Sequence, residues 1–282
     1  MASVGLGVAA VFLAWGVFRF LVWVLESRPS SLGSRYRRDV AERTSGVAPR
    51  PEATEADLAR LPVRVQAWLR RSGVVGRPRP SGFHVRFKGA LRRAHGARWM
   101  STSVEQHTIL DPPVRLFLMR AFLFGIPFRA YHRMVGDRAT MEVRVASLWD
   151  VVHADGPEMD RSEAVTFFND LCLLAPGALL DTPVRWEDEG PEAVVAHYTH
   201  GAHTISATLT FNAEGDLVGF TSHDRLQSED GRTFTPLPWA TPVWAHRDFG
   251  GLRVAGEAEA VWLEPGGAFS YARLTVEDLQ TF

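Results

Sequence analysis

Several features that mark common enzyme classes are absent from this chain of 282 residues. Its single cysteine, Cys172, allows neither an internal disulfide framework nor a metal site built from several thiolates. No glycine loop followed by lysine, no G-x-S-x-G elbow, no H-E-x-x-H pair and no paired C-x-x-C occurs. These absences disfavour the nucleotide-binding, hydrolase and zinc classes. We therefore expect no cofactor, and an enzymatic activity stays open without being favoured.

Lysine is almost absent as well, since Lys88 is the only one, and arginine supplies nearly all of the positive charge. The net charge is −1, but residues 26–98 hold 17 basic and 6 acidic side chains, whereas residues 101–282 hold 13 basic and 26 acidic ones. A basic stretch next to an apolar N-terminus suits contact with anionic lipid headgroups. Basic and aromatic residues do not interleave as they do in RNA-binding motifs, so nucleic acid is not an expected partner.

The N-terminal segment is the longest apolar stretch of the chain. Residues 4–25 read VGLGVAAVFLAWGVFRFLVWVL and carry one charge, Arg19. As a helix this segment is long enough for the hydrocarbon core of a bilayer, which is roughly 30 Å thick. A cleaved signal peptide would have a basic start and a small-residue cleavage site, and a core helix would have a polar face. The segment predicts a single-pass transmembrane anchor over residues 1–26.

The arginines near this segment lie on its C-terminal side. By the positive-inside rule this arrangement predicts that the rest of the chain lies in the cytoplasm, at a bacterial cell membrane. The lipid bilayer is then the expected partner, with membrane contacts from Arg19, Trp23, Arg28, Arg35, Arg37 and Arg38. Residues 27–60 lack apolar periodicity, which indicates a basic juxtamembrane linker with short helical pieces.

Residues 61–282 are expected to form one β-rich globular domain. Leu61, Val65, Trp68 and Leu69 follow a helical period, and residues 160–171 form a second amphipathic pattern that ends at Pro176-Gly177. From residue 82 onward the apolar period is mostly two, and turn signals recur about every ten residues. The pattern predicts a mainly β (α+β) fold. Its curved antiparallel sheet of about 9–11 strands would pack on one or two helices and would be preceded by the transmembrane helix.

Two clusters of polar residues could carry chemistry. The first is a trio of imidazoles at intervals of three, which could bind a metal on a helix but would alternate between the two faces of a strand: His197, His200 and His203. We favour a hairpin with exposed histidines, and so expect no metal site there. The second could supply a general acid and base, or could be a polar loop that leads into a helix: Asp150, His153, Asp155 and Glu158.

Two apolar segments suggest a cavity. Residues 114–128 read VRLFLMRAFLFGIPF, which is too short to cross a membrane as a helix and too apolar for a strand with one solvated face. Residues 234–244 combine two tryptophans with three prolines, either as the lip of an apolar cavity or as an edge segment that blocks strand pairing. The candidate cavity residues are Leu116, Leu118, Phe122, Phe124, Trp239 and Trp244.

Short motifs from Leu61 onward resemble a known family. They are Leu61-Pro62, Gln106 with Pro113-x-Arg115, Asp155-Gly156 before Met159-x-x-x-Glu163, the run 175–180 (APGALL), Trp186-Glu187, and Trp262 before Tyr271. These motifs are similar to those of a bacterial family of membrane-tethered proteins classed only as a domain of unknown function. The predicted sheet is also similar to that of the lipoprotein-localisation carriers, which hold acyl chains in its hollow. The resemblance implies a fold and no established activity.

The leading hypothesis is a membrane-anchored binding module whose concave sheet face holds a lipid or another apolar small molecule. An alternative is a hydrolase-like enzyme that uses the cluster at residues 150–158, which would require those groups to converge in one pocket. A third is a ligand-free interaction domain, in which Trp239 and Trp244 would share a flat exposed patch.

Overall fold

The computed structural model describes residues 2–44, 46–123 and 126–282, including the side chains of all of these except residues 2–12, 14 and 123. Phe124, one of the candidate cavity residues, lies outside the described residues. The helices are α1 (Ala2–Glu26), α2 (Leu32–Arg43), α3 (Glu55–Leu58), α4 (Val63–Arg71) and α5 (Pro157–Leu174), followed by a 3₁₀ turn (Pro176–Leu180).

The strands number fifteen in the described residues, more than the 9–11 that the sequence predicts. They are β1 (Gly82–Leu91), β2 (Met100–Leu110), β3 (Pro113–Leu123), β4 (Ile126–Val135), β5 (Arg138–Val145), β6 (Trp149–Ala154), β7 (Val184–Asp188), β8 (Ala193–His200), β9 (His203–Phe211), β10 (Leu217–Ser222), β11 (Leu226–Gln227), β12 (Thr235–Pro236), β13 (Trp239–Phe249), β14 (Leu252–Glu264) and β15 (Gly267–Thr281). The difference arises from short strands such as β6 and β7, whose side chains are largely exposed and carry little apolar alternation.

Thirteen of these strands form one antiparallel sheet in the order β6-β5-β4-β3-β2-β1-β15-β14-β13-β10-β9-β8-β7, and β11 pairs with β12 separately. The sheet curves so strongly that turns near its two opposite edges come into contact. His200 Nε2, at the β8–β9 turn, lies 2.8 Å from the carbonyl oxygen of Gly136, at the β4–β5 turn. The predicted curved antiparallel architecture is therefore confirmed.

Helix α5 connects the two edges of the sheet, β6 and β7, by crossing its concave side. It begins after Gly156, which has φ 89°, with Pro157 in its first turn and with Glu158 and Asp160 near its N-terminus, where acidic groups are favourable. Its middle and end are buried on all sides, including Phe167 and Phe168. The main core lies between this helix and the concave face of the sheet.

A second, smaller core lies on the opposite face of the sheet. Leu32 and Tyr36 of α2 pack there against side chains of β2, β3 and β4. Residues 27–60, expected to be a linker, thus contain a helix that is part of the packed structure. The hydroxyl of Tyr131 also donates to Asp39 Oδ2 at 2.7 Å, which ties α2 to β4.

Helix α1 covers the segment for which the sequence predicts a membrane anchor. Within the part of the chain that the structure describes, no helix combines the length and the apolar character needed to cross a membrane. The transmembrane part of the predicted fold therefore has no structural support.

Candidate functional site

A cavity of about 400 Å³ lies between the concave face of the sheet and α5. Such a volume lies within the usual range for ligand sites, about 300–1000 Å³. Apolar side chains from many strands form most of its wall, among them Phe87, Val104, Phe117, Met119, Met141, Trp262 and Phe269. On the helix side the wall includes four polar residues that lie towards one face of α5, since each is three or four positions from another of the set: Glu163, Thr166, Asn169 and Asp170.

The alternation of side chains on β3 decides which residues of the apolar 114–128 segment reach this cavity. Arg115, Phe117 and Met119 line it. Leu116 and Leu118 are fully buried as well, but they point to the other face, into the core beneath α2. Their expected place in the cavity therefore needs correction: the segment is apolar because β3 has a core on each side, and successive residues of a strand face opposite sides.

The remaining candidate cavity residues are divided between the wall and the surface. Trp239 lies in the cavity wall and is 3% exposed. Trp244 is 67% exposed and Phe122 is 53% exposed, and neither lines the cavity. The two tryptophans therefore do not share the flat exposed patch that a ligand-free interaction surface would require.

A buried ionic cluster lies at the polar side of the cavity. The Arg115 guanidinium donates through Nε to Asp170 Oδ2 at 2.7 Å and through Nη1 to Glu163 Oε1. Gln106 donates through Nε2 to the same Asp170 oxygen at 2.7 Å and to Thr108 Oγ1 at 2.9 Å. These contacts hold α5 to strands β2 and β3, and they place charge in a site from which water is largely excluded.

The Glu163 carboxyl is ionised although it is buried. Burial alone raises the pKa of this carboxyl, but Arg115, His132 and Arg225 outweigh it and lower the pKa to about 2. The second oxygen, Oε2, is buried without a hydrogen-bond partner in the described residues and lies 3.6 Å from His132 Nδ1. The cavity wall thus presents an ionised carboxylate with one accepting position unused.

Arg225 contributes a cation of a different kind. Its guanidinium stacks on Trp239, with 4.5 Å from Cζ to the ring centroid, and on Trp262, at 5.1 Å. It donates to the hydroxyl oxygens of Thr166 at 3.2 Å and Tyr271 at 3.3 Å. Within the described residues no carboxylate lies within 4 Å of this guanidinium, although its charge acts on Glu163 from a longer distance.

The acidic cluster at residues 150–158 does not converge as a buried catalytic site. Asp150 pairs with Arg144 at 2.5 Å on the surface. His153 Nε2 lies 3.4 Å from Asp155 Oδ2, and their side chains are 60% and 68% exposed. These two residues and Glu158 line a separate open cleft beside the β11–β12 hairpin. The geometry gives the enzyme hypothesis little support, because water solvates the groups it would use.

The three hairpin histidines lie on β8 and β9, and His197 and His200 face opposite sides of the sheet because they are three residues apart on β8. His197 Nδ1 lies 2.8 Å from Ser206 Oγ, whereas His200 is buried and contacts Tyr198 OH at 3.0 Å through Nδ1. His203 pairs with His200 across the turn. The expected hairpin is present, but the expectation of exposed histidines is wrong, because His200 is buried and His197 and His203 are half-buried. The trio does not form a cluster of metal ligands among the described residues.

The expected membrane-contact residues differ in their availability. Trp23 is 63% exposed, and Arg28, Arg37 and Arg38 are exposed too. The Arg19 guanidinium lies 5.3 Å from the ring centroid of Trp15. Arg35 is instead held by Glu142 of β5, with an Nη1–Oε2 distance of 2.7 Å, so it stabilises the packing of α2 on the sheet.

The charged residues of the cavity were not among the candidates from the sequence. Two signals could have revealed them: Arg115 interrupts an apolar strand, and Glu163 and Asp170 are seven residues apart on a helix whose other side chains are mostly apolar. A spacing of seven places both carboxylates on one helix face. Arg225 has no such signal, because a turn after β10 carries it and only the fold brings it beside Trp239 and Trp262.

Sequence comparison identifies one family. The profile of the "Family of unknown function (DUF6544)" matches residues 51–274. Among curated proteins, none matches the chain. The resemblance to a family of unknown function expected from the sequence motifs is confirmed.

Several solved structures align with much of this chain at low identity and with TM-scores below 0.5. A domain described as an outer membrane lipoprotein-sorting protein, from Vibrio parahaemolyticus, is 11% identical with a TM-score of 0.39, covering 71% of this chain and 85% of its own. A DUF1329 family protein from Desulfovibrio piger is 10% identical with a TM-score of 0.41, covering 77% and 91%. A β-barrel-like DUF1849 protein from Brucella abortus is 8% identical with a TM-score of 0.31, covering 72% and 99%. These likenesses assign no activity to the chain.

Proposed function

The chain belongs to the family of unknown function DUF6544, a name that assigns no activity, and from its cavity we propose that it binds an amphiphilic small molecule. The proposed ligand has an apolar tail that packs against the concave sheet face and an anionic head that contacts Arg225. The carrying observation is the combination of a mostly apolar cavity of about 400 Å³ with the Arg225 guanidinium, which stacks on two tryptophans and has no carboxylate within 4 Å among the described residues.

The apolar wall accounts for the tail. Ligand burial removes apolar surface from water, which contributes roughly 25 cal/mol for each Å². The wall combines aromatic side chains such as Phe117 with flexible ones such as Met119 and Met141. Thioether side chains adapt to irregular shapes, so this wall suits a flexible acyl chain better than a rigid polar metabolite.

The setting of Arg225 accounts for the head. Stacking between two indole rings fixes the plane of the guanidinium and lowers the entropy lost when it binds a carboxylate or phosphate oxygen. The buried Arg115, by contrast, already contacts two carboxylates. Of the four arginines in the wall, Arg92, Arg93 and Arg225 have no carboxylate within 4 Å among the described residues, and Arg225 is the one that contacts the polar face of α5, through Thr166.

The binding test compares two ligands that differ only in the head. The purified full chain is titrated with a long-chain fatty carboxylate and with the alcohol of equal chain length, each competing against a fluorescent fatty acid. We expect the carboxylate to bind about tenfold or more tightly, since one hydrogen bond to a charged group is worth about 1.5–3 kcal/mol. If neither compound binds, the proposal is rejected.

Variants separate the two parts of the site. Ala260→Phe fills the cavity and should weaken both ligands, whereas Arg225→Met keeps the apolar stem and should remove only the preference for the carboxylate. Trp244→Ala is the matched control for a tryptophan outside the cavity and should bind as the parent does. Unchanged affinity in Ala260→Phe would show that binding occurs elsewhere.

We also propose that α1 associates with a lipid bilayer. In the described part of this helix several large apolar side chains are more than half exposed, namely Leu13, Trp15, Phe20, Leu21 and Trp23. Apolar surface of this extent, next to exposed arginines, favours contact with anionic membranes. The full chain should co-float with vesicles containing anionic lipid, and Trp15→Glu/Trp23→Glu should float less. A chain that stays at the bottom of the gradient would refute this association.

A further inference from the structure

A second cluster of polar side chains lies on the convex face of the sheet, away from the cavity. His84 of β1 and His107 of β2 are directly opposite each other in the antiparallel register. Glu105 lies two residues before His107 on β2 and so shares its face. The three side chains are half-buried, and one ligand atom from each lies within 4.8 Å of the other two.

The orientation of these groups leaves nitrogen atoms unused. The imidazoles of His84 and His107 stack with ring centroids 4.2 Å apart and an interplanar angle of 27°. His84 Nε2 lies 3.4 Å from Glu105 Oε1, yet it has no hydrogen-bond partner in the described residues although it is shielded from water. A buried ring nitrogen without a hydrogen-bond partner destabilises the folded protein, unless a ligand binds to it.

Helix α2 contributes a supporting contact from outside the sheet. Tyr36 OH lies 2.8 Å from His107 Nδ1. A metal-binding imidazole commonly uses its second nitrogen in this way, because the contact fixes the ring and its tautomer. With Nδ1 in contact with Tyr36, Nε2 of His107 is the ring nitrogen left to bind an ion.

We propose that His84, Glu105 and His107 form a binding site for a divalent transition-metal ion such as zinc. Two imidazoles and one carboxylate are a recurrent ligand set for this ion, with a fourth position left to water. A tetrahedral ion with bonds of about 2.0–2.2 Å separates neighbouring ligand atoms by about 3.3–3.6 Å. The distance between His84 Nε2 and Glu105 Oε1, 3.4 Å, already fits, and the ligand atom of His107 lies within 4.8 Å of both.

The surrounding charges are compatible with a cation at this site. The nearest guanidinium reaches the other oxygen of Glu105: Arg120 Nη2 lies 3.7 Å from Oε2. Oε1 therefore remains available to a metal. A bound ion would link β1 to β2 next to the contact with Tyr36. Metal binding would therefore also stabilise the packing of α2 on the sheet.

The test uses the metal-free full chain and zinc alone as the probe, with isothermal titration calorimetry. We expect one ion per chain, and at least a tenfold loss of affinity in His84→Asn and in Glu105→Gln. Tyr36→Phe should weaken binding by about tenfold, because it removes only the supporting contact. Cobalt substitution provides a spectroscopic readout, since a tetrahedral site gives intense visible absorption that His84→Asn should abolish.

His223→Asn is the matched control, because His223 is exposed and lies outside the cluster. Far-ultraviolet circular dichroism of every variant separates lost binding from lost folding. Zinc that binds His84→Asn as tightly as the parent chain would overturn the proposal, as would the absence of any stoichiometric binding. Neither result depends on whether the cavity binds an amphiphile, so the two proposals fail independently.

Discussion

Replacing Glu163 with glutamine should make the stability of the protein less sensitive to acid. Glu163 is 1% exposed and pairs with the buried Arg115, and its pKa lies near 2 instead of the ordinary 4.5. A carboxylate whose folded pKa is depressed contributes stability above its unfolded pKa and loses it as the pH falls towards the folded value. Glutamine has nearly the same shape and imitates the protonated acid at every pH.

The size of the effect follows from this difference in pKa. A shift from 4.5 to about 2 corresponds to about 3 kcal/mol of stability at pH 7, since one unit is worth about 1.4 kcal/mol. The same linkage leaves roughly 1 kcal/mol at pH 3 and almost nothing below pH 2. The parent chain should therefore be more stable than Glu163→Gln by about 3 kcal/mol at neutral pH, and the gap should close between about pH 4.5 and 2.

Urea denaturation followed by tryptophan fluorescence, at several pH values from 3 to 7, measures both stabilities. Asp155→Asn is the control, because its solvated side chain should change the free energy of unfolding by less than about 0.5 kcal/mol. A stability gap between the parent and Glu163→Gln that stays constant over this pH range would refute the reasoning. It would mean that Glu163 is not ionised beside Arg115, and that packing alone accounts for its effect.

Three further outcomes follow from the fold. Leu118→Ala should cost about 2–5 kcal/mol of unfolding free energy in urea denaturation, yet leave fatty-carboxylate affinity unchanged, since this side chain faces α2 and not the cavity. Gly89→Ala should lower the thermal midpoint, because a Cβ there would lie 1.9 Å from the carbonyl oxygen of Arg273; overpacking of this kind costs about 1–3 kcal/mol or more. Asp216→Asn should lower the free energy of unfolding by about 1–2 kcal/mol in the same urea assay. Asp216 accepts hydrogen bonds from Arg71 of α4 and from Arg253 of β14, and so links these two elements.

The spacing of apolar residues along the chain was sufficient to predict individual helices and strands. The period of Val65, Trp68 and Leu69 predicts α4, whose inner face these residues form. The alternation of Phe83, Val85 and Phe87 predicts a strand with one buried side, and β1 buries these three residues. These predictions hold because the side-chain direction in a helix or strand is set by the backbone itself.

The candidate site was less accessible to sequence reasoning. A continuous apolar run such as residues 114–123 shows that β3 is buried on both sides, but it does not show which side is packed and which side adjoins a cavity. That choice depends on whether α2 or α5 covers a given face. Sequence reasoning thus assigned Leu116 and Leu118 to the cavity, whereas the structure places Phe117 and Met119 there.

The sequence by itself determined the antiparallel, mainly β class, one helix around residues 61–69, a second around residues 160–171, and membership of the family, because all of these follow from local periodicity and short motifs. Tertiary structure alone decided the pairings between distant segments. The stack of Arg225 on Trp262 joins positions 37 residues apart, and the contact of Arg115 with Asp170 joins positions 55 apart. These contacts depend on the register of a sheet with thirteen strands and on the way that sheet curves around α5. Local sequence patterns do not specify which distant residues this arrangement brings together.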